Sequence, residues 1–483
     1  MVSTEFELSV GLEVHAELLT LSKMFCGCPN EFGGEPNTRV CPVCLGLPGS
    51  LPVINRQAVE HVLKTALALN CSIAMRSMFH RKNYFYPDLP KGYQISQYEE
   101  TNPIGYRGWI EIPLADGATK TVRIRRVHLE EDTGKLMHLP GGGSGVDFNR
   151  AGVPLMEIVT DFPPDVKSAE EARSYLQELR LILLYLGVCD GRMEQGSFRC
   201  EPNISIAPPG AETLGTKVEL KNLGSFKAVA LGIEYERSRM ESALARGETL
   251  HQETRGWDES AEISYPMRRK EGESDYRYFT DPDLPPLAFD EETIERVRAS
   301  LPELPGEKRR RYRESLGLGE YDANLLVADP EWAAYFDEAV SAGGDAKLVC
   351  NWMNSDFARL LNESGQRPRT SKVTPERLAE LVGLIQADQI TGKIAKEVFD
   401  TMFATGDAPG KIVSEKGLSQ IADAGELAAI VADVLSANPD AVEKYKSGKA
   451  GVLGFLVGQV MQKTRGRANP QVVNNLLVEK LTE

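Results

Sequence analysis

Apolar and polar residues alternate cleanly over Ser9-Val-Gly-Leu-Glu-Val-His-Ala-Glu-Leu18. As a β-strand this run puts Val10, Leu12, Val14 and Leu18 on one face and Glu13, His15 and Glu17 on the other. Similar short runs, separated by Pro- and Gly-containing turns, recur to about Val297. Three helices stand among them. Asn55 caps one whose apolar face is Val59, Val62, Leu63, Ala66 and Leu67. Ser168 and Glu171 form a capping box ahead of Leu176, Leu179, Ile182, Leu183 and Leu186, and Gly187 closes that helix. The third runs from Lys227 to Arg246 and stops at Gly247. Strands that outnumber helices, without a βαβα rhythm, predict an α+β domain with a mainly antiparallel sheet over 1–297.

Beyond residue 298 the texture becomes helical. Glu291–Ser300, at the junction, and Pro375–Gln386 read as amphipathic helices, the second with Thr374 as cap and Pro375 at its first position. The Gly406–Gly410 stretch marks a further boundary. The expected order is therefore a helical domain over 298–408 and a helical tail over 409–483.

Hydrophobic residues make up 42% and charged residues 26%, ordinary globular values that exclude a largely disordered chain. The net charge of −15 suits a cytoplasmic protein. It does not exclude a nucleic-acid partner, because phosphate contacts need only a local basic surface. The longest near-apolar run, around Leu181–Cys189, is too short to span a bilayer, and the first residues are not expected to form a secretory signal.

Acidic positions then draw attention to one face. Glu13 and His15 project side by side and suit a divalent cation, although a solvated outer face would look the same. The run Arg123–Asp132 ends in three carboxylates, Glu130, Glu131 and Asp132, and Val153–Val159 embeds Glu157 among apolar residues. A carboxylate buried there must be paired, with Arg150 as one choice, or metal-bound. Ser197, Arg199 and Glu201 alternate with apolar residues, as do Lys217, Glu219 and Lys221, and Lys82 stands beside the aromatic run Tyr84-Phe-Tyr86. Cationic and carboxylate groups of this kind bind phosphates and carboxylates.

Cys26 and Cys28 are separated by twelve residues from Cys41 and Cys44. Two close thiolate pairs can close a zinc tetrahedron with no position left for water, so the site is structural. No P-loop, dinucleotide fingerprint or His-Glu-x-x-His motif occurs. In the tail, Lys449, Lys463, Arg465 and Arg467 lie in a stretch without Asp or Glu from Lys444 to Val478, which suits a phosphate backbone or a plain solvated face.

The strings Gly11-Leu-Glu-Val-His15, Arg81-Lys-Asn-Tyr-Phe-Tyr-Pro-Asp88, Tyr93-Gln-Ile-Ser-Gln97, His128-Leu-Glu-Glu-Asp132, Asn149-Arg-Ala-Gly-Val-Pro-Leu155, Glu219-Leu-Lys-Asn-Leu223 and Asp275-Tyr-Arg-Tyr-Phe279 closely resemble the B subunits of the aspartyl/glutamyl-tRNA(Asn/Gln) amidotransferases. The resemblance extends into the tail at Gly454–Gln459 and Ala468–Pro470. It implies a catalytic cradle resembling the glutamine synthetase fold, a helical domain and a tail that engages tRNA(Gln) or tRNA(Asn). It also implies ATP- and magnesium-dependent phosphorylation of misacylated Glu- or Asp-tRNA. Amidation follows, with ammonia from a glutaminase partner, the amidase-family A subunit, in a heterotrimer completed by a small C subunit. Carried over by motif, the magnesium ligands are His15, Glu131 and Glu157. Glu13, Lys82, Ser197, Arg199, Glu219 and Lys221 line the ATP and aminoacyl pocket. The chain departs from the family at Gln195, Glu201 and Pro202. Pro202 cannot donate to a ladder, so a bulge or an edge is expected there. The competing readings are a zinc-stapled tRNA-binding scaffold and a free-standing ligase using dissolved ammonia.

Overall fold

The computed structural model describes residues 6–98, 103–139, 141–269, 276–421, 424–449 and 451–482; Asp275 of the last string lies outside them. Two compact units divide the chain at Gly306, where the sequence suggests 297.

The first unit contains Glu7–Glu17 (β1), Arg56–Ala68 (α1), Ser72–Ile73 (β2), Arg76–Ser77 (β3), His80–Asn83 (β4), Tyr93–Ser96 (β5), Gly105–Pro113 (β6), Thr119–Glu131 (β7), Lys135–His138 (β8), Ser144–Asp147 (β9), Pro154–Thr160 (β10), Ala169–Leu186 (α2), Phe198–Ala207 (β11), Val218–Lys221 (β12), Phe226–Ala245 (α3), Glu253–Asp258 (β13), Ile263–Arg269 (β14), Phe279–Thr280 (β15), Leu287–Ala288 (β16) and Glu291–Ala299 (α4). Nine strands form one sheet in the order β14-β13-β12-β11-β1-β10-β7-β6-β2, antiparallel throughout except at β12–β13. The unit is therefore α+β with a mainly antiparallel sheet, as the alternation predicts.

Period-two alternation decides what each face does. Leu8, Val10, Leu12, Val14 and Ala16 of β1 are buried and join Ala66 of α1 and Leu176 and Leu179 of α2 in one core. Helices α1, α2 and α3 cover this apolar face. The opposite face is polar, and the small sheet β15-β4-β5 packs against it through β5 and β7.

The helix starts are where the capping residues place them. Asn55 accepts from the N–H groups of Gln57 and Ala58, and Ser168 accepts from Glu171 N–H. The capping box is half-formed, because the Glu171 carboxylate takes the Lys167 N–H (2.7 Å) and the Lys120 ammonium (2.8 Å). Gly187 ends α2 in the left-handed region, at φ 65°.

Pro202 corrects one expectation. Strand β11 is internal, and its register with β1 runs unbroken through Leu12↔Pro202. Leu12 turns its N–H and C=O toward Thr160 on the β10 side, so this pair exchanges no ladder bond and the missing donor costs nothing there. On the other side, pairing with β12 is confined to Asn203↔Glu219 and Ile204↔Val218.

The second unit is helical: Pro305–Glu314 (α5, crossing the boundary), Glu320–Val327 (α6), Pro330–Ser341 (α7), Ala346–Trp352 (α8), Ala358–Ser364 (α9), Pro375–Gln386 (α10), Gly392–Thr405 (α11), Pro409–Glu415 (α12), Ala424–Ala437 (α13), Pro439–Lys446 (α14), Val452–Lys463 (α15) and Pro470–Thr482 (α16). Thr374 caps α10 through Arg377 N–H. The sequence break at Gly406–Gly410 is a turn inside one packed group, since α12 rests on α10 and α11. A separate core begins at Leu427 and runs through Val431, Leu456, Val460 and Val473 to Leu481.

Candidate functional site

A polar cavity of about 510 Å³ lies on the open face of the large sheet, beneath β4 and β5. Three neighbouring strands supply its floor. His15 of β1 stands opposite Glu157 of β10, and Glu157 stands opposite His128 of β7. His15 Nε2 lies 3.4 Å from Glu157 and 3.9 Å from Glu130; His128 Nε2 lies 3.5 Å and 3.6 Å from the same two carboxylates.

Donor atoms of His15, Glu130 and Glu157 all lie within 4.8 Å of one another. Two carboxylate oxygens and an imidazole suit magnesium or manganese, with the remaining positions left to water and phosphate. The residues therefore fit a hard divalent cation. Both rings keep a buried Nδ1 without a hydrogen-bond partner, so only the Nε2 side of each ring is tied to the acids.

Glu131 does not join this group. Strand alternation sends His128, Glu130 and Asp132 into the cavity and Val127, Leu129 and Glu131 to the core side. The Glu131 carboxylate bonds the Lys91 ammonium and takes the Ile95 N–H at 2.9 Å. Together with Lys91 it lines a separate hollow beside Cys26 and Cys44. Glu130, fixed by the Ser96 hydroxyl at 2.9 Å, occupies the place expected for Glu131.

The other expected residues divide in the same way. Glu13, Lys82, Arg199, Glu219 and Lys221 line the cavity. Ser197 does not; its hydroxyl is spent on Asp190 and on the Arg192 N–H (3.1 Å) at the start of β11. Arg150 is not the partner of Glu157: Arg126 is, at 3.2 Å, while Arg150 approaches Asp132 at 3.6 Å.

Charge is distributed in opposed sets. Burial alone would lower Lys82, yet Glu130 and Glu157 hold its pKa above the ordinary lysine range, and its ammonium sits 5.0 Å over the Tyr276 ring. Arg199 pairs with Asp132 at 2.8 Å, and Lys221 with Glu201 at 2.6 Å and Glu219 at 3.3 Å. Burial, and then the charges of Glu157 and Glu201, raise Glu13. Burial also opposes ionised Glu157, but His128 and His15 more than compensate and hold it well below the usual range.

For His15, burial disfavours the imidazolium, but the hydrogen bond to Glu157 and the charges of Glu157, Glu201 and Glu130 win and raise its pKa to about 9. This contribution to stability is complete below the ordinary value of 6.5 and is lost as pH rises through 9. A bound cation needs the neutral ring. Adding magnesium at pH 8 is therefore expected to release roughly one proton, read by calorimetry in buffers of different ionisation enthalpy. Binding without release would place the ion away from His15.

The four cysteine thiols also converge within 4.8 Å of one another, a group able to hold a structural metal. Lys23, fully buried, brings its ammonium to 3.8 Å from Cys44 Sγ. The hydrogen bond from Cys26 outweighs burial and, with Lys23, lowers Cys44 to about 4.

In the tail, Lys449 and Arg465 are exposed, Arg467 is half-buried, and Lys463 pairs with Asp433 at 2.8 Å.

An antiparallel sheet with an acid- and cation-lined cavity on its open face, followed by a helical unit, defines a class of chain that two family models describe. The GatB/GatE catalytic domain matches residues 8–295, and the GatB domain matches 334–481. Over 479 residues, 99% of this chain and 100% of the relative, it is 53% identical to the B subunit of the aspartyl/glutamyl-tRNA(Asn/Gln) amidotransferase of Caldanaerobacter subterraneus subsp. tengcongensis. The namesakes from Moorella thermoacetica (53%) and Persephonella marina (52%) match over 99% of this chain and 100% of their own. The chain belongs to the family of aspartyl/glutamyl-tRNA(Asn/Gln) amidotransferase B subunits. Among its described residues no helix is long and apolar enough to cross a membrane.

Proposed function

We propose that this chain is the catalytic component of a glutamine-dependent tRNA amidotransferase. Its reaction would be ATP-dependent phosphorylation of the side-chain carboxylate of misacylated Glu-tRNA(Gln) or Asp-tRNA(Asn), followed by amidation. Ammonia would come from a glutaminase partner, the A subunit, with a small C subunit completing a heterotrimer in the cytoplasm. The carrying observation is the meeting of His15, Glu130 and Glu157 on the floor of a cavity walled by Lys82, Arg199 and Lys221. A cradle resembling the glutamine synthetase fold accords with an open antiparallel face that bears the acids.

A carboxylate is a poor acceptor for ammonia because oxide is a poor leaving group, and phosphorylation provides a better one. What remains for the protein is positioning and charge neutralisation. His15, Glu130 and Glu157 would hold magnesium, which when bound neutralises phosphate charge. Lys82 faces the same floor and adds a cation opposite the acids. Arg199 or Lys221 would stabilise the acyl oxyanion, each held in aim by its carboxylate partner. Zinc on Cys26, Cys28, Cys41 and Cys44 would staple the segment without entering the chemistry.

The test is an assay of the co-purified complex with each misacylated tRNA, ATP and glutamine. The expected product is Gln-tRNA(Gln) or Asn-tRNA(Asn), formed only with ATP, and no glutamine is used by this chain alone. ATP-independent amidation would contradict the phosphorylation step; glutamine use by the isolated chain would contradict the division of labour. For the tail, neutralising Lys463, Arg465 and Arg467 together is expected to weaken tRNA binding and flatten its salt dependence by about one unit of slope per lost phosphate contact. An unaltered slope in filter binding would assign these residues to a solvated face.

A further inference from the structure

The cysteine segment is fastened to the wall of the cavity by a chain of hydrogen bonds. Asn37 and Arg39 lie in the loop between Cys28 and Cys41. Asn37 donates its backbone N–H to the Asp147 carboxylate (3.0 Å) and its side-chain amide to the Val146 carbonyl (3.0 Å), and its side-chain oxygen accepts the Phe148 N–H (2.8 Å). Its backbone sits at φ 62°, in the left-handed region that asparagine tolerates. Asn149, only 8% exposed, answers from the other side. Its side-chain oxygen accepts the Arg39 N–H at 2.8 Å, and its amide donates to the Glu35 carbonyl at 2.7 Å. The ends of the same turn are tied as well, the Lys23 ammonium donating to the Phe148 carbonyl (3.3 Å) and the Met24 N–H to the Gly152 carbonyl (2.7 Å).

Arg150 carries this fixation into the cavity. Its guanidinium donates to the carbonyls of Thr133 (3.1 Å) and Gly134 (2.9 Å), the two residues that follow Asp132. Asp132 itself donates its N–H to the Val153 carbonyl at 2.8 Å and accepts the Gly152 N–H at 2.9 Å. Arg199 has two carboxylates within reach, Asp132 at 2.8 Å and Glu17 at 3.6 Å. Asp132 follows β7 and Glu17 ends β1, so the carboxylate that the guanidinium follows sets its direction over the floor. A fixed Asp132 keeps it on the nearer one.

We propose that Asn149 and Arg150 are positioning residues for amidation: the loop between the thiolate pairs fixes them, they fix Asp132, and Asp132 aims Arg199 at the acyl oxyanion. In that step the ammonia nitrogen bonds the acyl carbon. The bond from that carbon to the phosphate oxygen breaks, its electron pair leaves with phosphate, and the proton shed by nitrogen goes to the phosphate. The inference rests on the oxyanion role given to Arg199 above. Neither Asn149 nor Arg150 touches substrate in it. They hold the direction of another side chain, and a misplacement of about 1 Å in such a group costs on the order of 100-fold in rate.

The test uses Asn149→Ala, Asn37→Gly and Arg199→Lys in the complete complex, with ATP and misacylated tRNA varied separately. Asn37→Gly removes the side chain where glycine adopts the backbone freely. Asn149→Ala is expected to lower kcat for amidation about tenfold and Asn37→Gly about threefold, with both KM values within about twofold. ATP consumed per amide formed rises above that of the unmutated complex, because acyl phosphate still forms and is lost to water. Asn149→Asp keeps the acceptor for the Arg39 N–H and recovers part of the loss. Calorimetry with magnesium alone gives an unchanged affinity for the full chain, since none of these bonds involves His15, Glu130 or Glu157. In the Arg199→Lys background, Asn149→Ala costs under about twofold, because its effect passes through Arg199. A full tenfold loss in that background, or unchanged kcat and ATP consumption in Asn37→Gly, would overturn the assignment. Asn37 is exposed, so that variant carries the test even if Asn149→Ala does not fold. Arg199→Lys amidating at the unmutated rate would overturn the underlying reading instead, whatever Asn149→Ala does.

Discussion

Glu130→Gln is expected to lower ATP-dependent amidation on the order of 100-fold or more, whereas Glu131→Gln acts first on stability. Glutamine keeps the shape and an acceptor for the Ser96 hydroxyl, which now bonds Glu130 at 2.9 Å. What is lost is one of the two carboxylate charges facing His15 and His128. With an N-and-one-O donor set left, a hard cation loses its anchor. The adjacent residue is a different case. Glu131 bonds the Lys91 ammonium on the core side of the sheet, where the side chains of Lys91 and Glu131 are 11% and 4% exposed. Removing its charge strands a buried ammonium, at a cost of about 3–5 kcal/mol. That corresponds to a fall in the melting midpoint on the order of 10 °C. Side-by-side kinetics and melting curves of the two variants check both. Equal catalytic losses with equal stability would contradict the alternation that separates the neighbours.

The second large effect concerns the cysteine cluster. Residues 20–53 contain almost no regular structure beyond the isolated Ser22↔Pro29 bridge, and Leu21, Phe32, Leu51 and Val53 are exposed. Apart from Met24 and Phe25, which join the main core, the segment buries little apolar surface of its own. A tetrathiolate metal would supply the missing stabilisation, worth about 10–16 kcal/mol in isolated zinc-finger peptides and less in a module anchored at both ends. Lys23 suits this arrangement, since a buried ammonium beside Cys44 offsets the excess negative charge of four thiolates. Chelation, or Cys44→Ser, is therefore expected to abolish amide-exchange protection across 26–50 and lower the melting midpoint. Protection in β1 and β10 should persist. Full protection after the metal is stripped, measured by exchange and metal analysis on one sample, would show that packing alone holds the segment.

The fold is legible in the sequence where one period dominates. Strand β1 reads directly from its alternation, and α1, α2 and α10 begin at Asn55, Ser168 and Thr374 because side-chain oxygens satisfy the first amides there. The acids mislead for a related reason. Matching His128-Leu-Glu-Glu-Asp132 as a string selects Glu131, although the same period of two, anchored by apolar Val127 and Leu129, places His128, Glu130 and Asp132 on one side. The functional surroundings of Glu157 are not readable at all: Arg126 and His128 reach it across strands, and pairing between strands carries no local signal. Ser197 has the composition of a pocket residue, but its turn satisfies the hydroxyl through Asp190 and Arg192. Helix starts are local and strand faces nearly so, whereas registers and turn hydrogen bonds belong to the folded chain.

Manganese, which matches magnesium in donor preference and scatters anomalously, offers the most direct measurement. Crystals of the complex soaked with manganese and a non-hydrolysable ATP analogue should give one anomalous peak between His15, Glu130 and Glu157, with the analogue's terminal phosphate beside it. A peak bound to Glu131, or analogue density with no metal at these three side chains, would contradict the account.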